Sequence, residues 1–124
     1  MTIAEAISLV DKLKPNQYTE IMKKNWLSKL DGLVFKEVFQ THEENPIESF
    51  EGYEKAGMET ELLIPYPYDE DIYNYFLQAS IDKENGETAK YNQSITLYNN
   101  AFLTFQNWYN RTHQPISSGT RFIF

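Results

Sequence analysis

The sequence predicts an all-α domain: four principal helices in a bundle-like arrangement, a long irregular loop between the second and third, and an extended C-terminal tail. Apolar residues recur at helical spacing in four separate stretches. Capping signals stand at the ends of those stretches, and proline and glycine gather between the second and the third. A chain of 124 residues is the common size for a single core. The expected division is a helical domain over 1–115 and the tail over 116–124.

Thr2-Ile3-Ala4-Glu5 fits the capping box, in which hydroxyl and carboxylate satisfy the first free amides of a helix. Ile3, Ile7, Val10 and Leu13 then share one helical face, and Pro15 and Asn16 end it. Thr19 is the next N-cap, before a longer helix expected to bury Met22, Trp26, Leu30, Leu33 and Val34 and to continue to Val38. Gly32 weakens that helix without breaking it.

From about Thr41 to Tyr68 no period survives. Pro46, Gly52, Gly57, Pro65 and Pro67 interrupt it, while Glu43, Glu44, Glu48, Glu51, Glu54, Glu59 and Glu61 accumulate. Irregular connections longer than about 15 residues are uncommon in small domains and tend to carry function. Leu62-Leu63-Ile64 is expected either to form a short strand or to plug the core.

After Pro67, the acidic residues Asp69, Glu70 and Asp71 favour the positive end of a third helix, which carries Ile72, Phe76, Ala79 and Ile81 and stops at Gly86. Asp82 and Glu84 read as its solvated side. The fourth helix is expected from about Glu87 to Arg111, with an aromatic seam of Tyr91, Ile95, Tyr98, Phe102, Phe105 and Tyr109. The expected core centres on Trp26, Leu30, Phe76, Tyr98, Phe102 and Phe105. Beyond Asn110 to Pro115, the apolar Thr120-Arg121-Phe122-Ile123-Phe124 asks for a partner, such as a sheet edge or another chain.

Composition narrows the function. A net charge of -7 opposes a sequence-independent grip on nucleic acid, which draws its affinity from Lys and Arg. It leaves open a role beside DNA, since a wall that must let a duplex slide past should not hold it. The chain has no cysteine, so thiolate nucleophiles, disulfides and Cys-type zinc sites are excluded, and a reducing compartment is the simplest expectation. The opening residues lack the basic start and apolar run of a signal peptide, and no stretch reaches about 18 apolar residues.

No catalytic, cofactor or metal site is expected. His42 and His113 stand in no two-ligand spacing and read as surface or capping residues. The carboxylates Asp69, Glu70 and Asp71 have a sufficient role at a helix start. The fourth-helix aromatics lack the electropositive groove that a base-stacking platform needs. Asn92-Gln93-Ser94 and Asn110-Arg111-Thr112 match the glycosylation pattern by chance, and no Gly-rich phosphate loop or nucleophile motif is present.

One resemblance runs through Thr60-Glu61-Leu62-Leu63, Pro65-Tyr66-Pro67-Tyr68-Asp69, Tyr73, Ala79, Ile81-Asp82, Asn85-Gly86-Glu87, Tyr91-Asn92 and Trp108 to His113. The Ala4-to-Leu13 helix, Lys14-Pro15-Asn16 and Trp26-Leu27 are in keeping with it. On these residues the chain resembles the small head-tail connector (adaptor) proteins of tailed bacteriophages and prophages. The resemblance implies a non-enzymatic subunit that is made in the host cytoplasm and ends in the virion at the head-tail junction. It implies a homo-oligomeric ring under the portal protein, dodecameric in the usual case and monomeric when free, which meets the next neck or tail-completion protein. DNA would pass through the assembled channel.

By the same resemblance, the tail residues Arg121, Phe122, Ile123 and Phe124 are the partner-binding candidates, and the loop from His42 to Pro65 is a candidate for subunit contacts or channel wall. Two other classes compete. An acidic regulatory binding protein or DNA mimic would also carry this charge, but with carboxylates arrayed on one face. A metal enzyme built on the third-helix carboxylates is the remaining alternative.

Overall fold

The computed structural model describes residues 1–116, and the chain is mostly helical there, with four α-helices and no named strand among the described residues. α1 is Ile3–Leu13, α2 is Glu20–Glu37, α3 is Asp69–Glu84 and α4 is Thr88–Thr112, with a short 3-10 turn at Phe39–Thr41. α3 is central: it packs on α1, α2 and, most extensively, on α4.

α1 opens on the expected capping box. Glu5 N donates to Thr2 Oγ1 at 3.1 Å and Thr2 N to Glu5 Oε1 at 2.8 Å. It buries Ile3, Ala6, Ile7 and Val10, whereas Leu13, expected on the same face, is 58% exposed. The end of α1 meets α3 through a polar contact instead: Lys14 Nζ lies 2.6 Å from Asp82 Oδ1.

α2 is capped by Thr19, whose hydroxyl accepts from Met22 N. Its buried face is Lys23, Leu27, Leu30, Asp31, Val34 and Phe35, followed by Val38. Of the expected stripe, Leu30, Val34 and Val38 are buried, whereas Leu33 is 54% exposed and Met22 and Trp26 are half-buried. Two charged residues turn inward on this face because each finds a partner, Lys23 with Asp11 at 2.7 Å and Asp31 with two tyrosines.

α3 carries Asp69, Glu70 and Asp71 in its first turn and buries Ile72, Tyr73, Leu77, Ala79 and Ile81. It stops as expected: Gly86 takes φ +73° and donates its N–H to Lys83 O. Asp82 corrects the solvated-face reading. It is fully buried and accepts from Lys14 Nζ and, at 2.9 Å, from Ser94 Oγ, so one carboxylate joins α1, α3 and α4. Glu84 is exposed.

The α4 seam is a chain of aromatic contacts, with Phe76–Tyr98 at 5.3 Å, Tyr98–Phe102 at 5.8 Å, Phe102–Phe105 at 5.9 Å and Phe105–Tyr109 at 5.9 Å between ring centroids. Phe105 and Tyr109 are buried; Tyr91, Ile95, Tyr98 and Phe102 are half-buried. Of the six residues expected at the core's centre, Leu30 and Phe105 lie inside. Trp26, Phe76, Tyr98 and Phe102 pack on its edge, and Ile3, Leu27, Ile64, Ile72, Tyr73, Leu77 and Ile81 take the centre.

Candidate binding cleft beside a strapped loop

Residues 42–68 contain no helix and only isolated bridges, yet they are tied down along their length. At one end, Glu43 N donates to Gln114 O and Ile116 N to Thr41 O, so the start of the loop runs antiparallel to the chain after α4. At the other, Ile3 N donates to Thr60 O, Ala4 N to Met58 O and Leu62 N to Met1 O. The first two of these bonds satisfy amides at the start of α1 that have no partner within the helix, and the third satisfies a loop amide. Leu62 and Ile64 are buried in the core, and this segment forms no ladder strand.

The middle is held by a buried carboxylate. Asp31 Oδ2 accepts from the Tyr53 hydroxyl, in a short bond, and from Leu63 N at 3.0 Å. Asp31 Oδ1 accepts from the Tyr73 hydroxyl at 2.6 Å, and that hydroxyl oxygen accepts from Ile64 N at 2.9 Å. Tyr53 N donates to Ser28 Oγ, and Lys24 Nζ to Ala56 O.

Burial pushes the Asp31 carboxyl up to about 6, against the opposite pull of the Tyr53, Tyr73 and Leu63 donors. Burial and the Asp31 charge also raise both tyrosine hydroxyls. A carboxylate paired with tyrosine could move protons, but this one is sealed from solvent and its oxygens are occupied by the loop and by Tyr73 of α3. Its role is to hold the strap.

The cleft forms where the loop leaves the 3-10 turn and passes the last turns of α4. It has a volume of about 400 Å³ and is lined by Phe39, Glu44, Leu63, Trp108, Tyr109 and His113, among others. His42, expected at the surface or as a cap, is buried and acts as a cap: Nδ1 lies 2.6 Å from Val38 O and Nε2 2.9 Å from the Asn110 carboxamide oxygen. His113 stacks on Tyr109 with ring centroids 3.8 Å apart, and His42 meets Tyr109 edge-on at 4.6 Å. Far apart in sequence, the two histidines thus flank one tyrosine.

Tyr109 is 3% exposed, and among the described residues its hydroxyl is the buried side-chain group without a hydrogen-bond partner. Burial and the Glu44 charge raise its pKa above the ordinary tyrosine value. Glu44 itself is exposed and forms no ion pair among the described residues.

The sequence-predicted partner residues Arg121, Phe122, Ile123 and Phe124 lie outside the described residues. Asp69, Glu70 and Asp71 do share the start of α3, with Asp69 turned inward. Among the described residues, no group of three or more His, Cys, Asp or Glu side chains could hold a metal ion, and no helix is long and apolar enough to cross a membrane. The cleft escaped sequence reasoning because it draws on four separated segments; the available signal was the acidic, proline-broken stretch that supplies one wall. Comparisons with protein-family models, with curated proteins and with solved structures found no match.

Proposed function

We propose that this chain is a structural subunit of a tailed-phage or prophage head-tail connector, acting by assembly rather than catalysis. It would form a ring under the portal protein, dodecameric in the usual case, and receive the next neck or tail-completion protein.

The observation that carries this reading is the strapped loop. A helical scaffold holds a long acidic segment in place at both ends and at a central carboxylate, as a contact surface requires. Exposed apolar side chains support it, with Ile21, Leu33, Tyr66, Leu97 and Leu103 all solvent-facing in the isolated chain. The net charge of -7 suits a channel through which DNA slides. The resemblance over Thr60 to His113 names the assembly.

Light scattering behind size exclusion tests it, on the full chain alone and mixed with the portal protein encoded beside it. The expected result is a small species alone and a ring-sized complex in the mixture. A chain that ignores the portal overturns the reading. The net charge also favours a second class, an acidic regulatory protein that covers a basic surface; such a protein would bind a basic partner stoichiometrically without forming a ring.

A further inference from the structure

We infer that the cleft between Glu44 and the last turns of α4 is a receptor for an arginine side chain presented by a partner protein. This goes beyond the connector reading and does not depend on it. Three independent features converge.

The walls are aromatic: Phe39, Trp108, Tyr109 and His113 line the cleft, and since Phe39 and Tyr109 are buried and His113 stacks on Tyr109, the half-buried Trp108, with Tyr68 beside it at 5.1 Å, offers the open face. Aromatic faces attract a cation through the ring quadrupole, and a planar guanidinium stacks on them. Glu44 contributes a carboxylate with no cation of its own among the described residues. The Tyr109 hydroxyl is buried in this wall with no partner among them.

The guest that answers all three is a cation carrying N–H donors on a flat face. A guanidinium stacks on an aromatic wall and pairs with the Glu44 carboxylate, and its remaining donors reach the buried Tyr109 hydroxyl once the tyrosine ring shifts to admit them. A quaternary ammonium has no N–H to give. An apolar side chain leaves Glu44 and the Tyr109 hydroxyl unanswered, and a carboxylate is repelled by Glu44. Charge complementarity extends past the cleft, since Glu43 and Glu48 flank Glu44 in a chain of net charge -7. The volume of about 400 Å³ is near the lower end of ligand pockets, roughly 300–1,000 Å³, and suits one long side chain.

The test is a heteronuclear NMR titration of the full-length chain with the peptide acetyl-Gly-Arg-Gly-amide, reading the Trp108 indole N–H with Trp26 as internal control. The Lys and Phe counterparts of the peptide serve as competitors. The Arg peptide should give a saturable shift at Trp108, with affinity at least about fivefold higher than the Lys peptide. Glu44→Gln should weaken it by about fivefold or more and Tyr109→Phe by about twofold or more. Glu44 is exposed and unpaired among the described residues, so its variant should keep the wild-type thermal midpoint.

Equal affinity for the Arg and Lys peptides, or tighter binding of the Phe peptide, overturns the assignment. So does a shift that appears only in an Arg121→Ala variant, because the chain's own arginine would then be the occupant. No shift in either protein also overturns it.

Discussion

Asp31 on α2 and Tyr73 on α3 meet in a 2.6 Å hydrogen bond, and the same tyrosine oxygen accepts the Ile64 amide from the loop. Two helices and the strap are thereby fixed to one another by a single buried pair. Water does not compete for these atoms, since Asp31 and Tyr73 are both fully buried.

The first prediction concerns pH. The Asp31 carboxyl is raised to about 6 in the folded chain from an ordinary value of 3.8, so the native state holds its proton more tightly than the unfolded one. Its contribution to stability is complete below about pH 4 and is lost as pH rises through about 6. Relative to Asp31→Asn, the wild type should therefore gain about 2 kcal/mol between pH 7 and pH 4. Urea unfolding of both proteins across this range measures it, and a constant difference would mean an ordinary carboxylate.

Tyr73→Phe removes the acceptor of the Ile64 amide and one donor to Asp31. The expected cost is about 1–3 kcal/mol. Amide exchange should quicken at Leu63 and Ile64 well before it changes in α4, because the strap loosens while the α3–α4 interface stays packed.

The ion pairs are expected to differ in worth. Lys14→Ala strands the fully buried Asp82, whose other donor is the Ser94 hydroxyl, and should cost about 3 kcal/mol. Lys90→Ala breaks an exposed pair with Glu87 and should cost no more than about 0.5 kcal/mol. Chemical denaturation at neutral pH separates the two.

Gly86→Ala should lower stability by about 1 kcal/mol through the backbone alone. The residue sits at φ +73°, and a Cβ there would meet nothing within 4 Å. A shift in thermal midpoint with unchanged helical content is the expected signature.

The helices were legible wherever a local rule applied. Thr2 with Glu5 marked the start of α1, and Asn85-Gly86 marked the end of α3, because capping is decided within a few residues. Lys23, Asp31 and Asp82 were not legible as core. A charged side chain reads as surface until its partner is known, and Asp82's partners, Lys14 and Ser94, come from other helices. On α2 the expected face accordingly left out Lys23 and Asp31.

The cleft was hidden for a related reason. Its approach to α4 depends on backbone bonds between Thr41, Glu43, Gln114 and Ile116, which leave no side-chain signature. The role of Tyr109 as part of an aromatic seam was readable from spacing; that its hydroxyl has no partner among the described residues was not.

The bonds from Glu43 N to Gln114 O and from Ile116 N to Thr41 O have a mechanical consequence. Tension applied through the chain beyond Ile116 reaches Thr41 and Glu43 in the neighbouring strand-like segment as well as α4. A load on that segment would tug the wall containing Glu44 and alter the width of the cleft, so pulling at one point and gripping at the other are coupled by two amides.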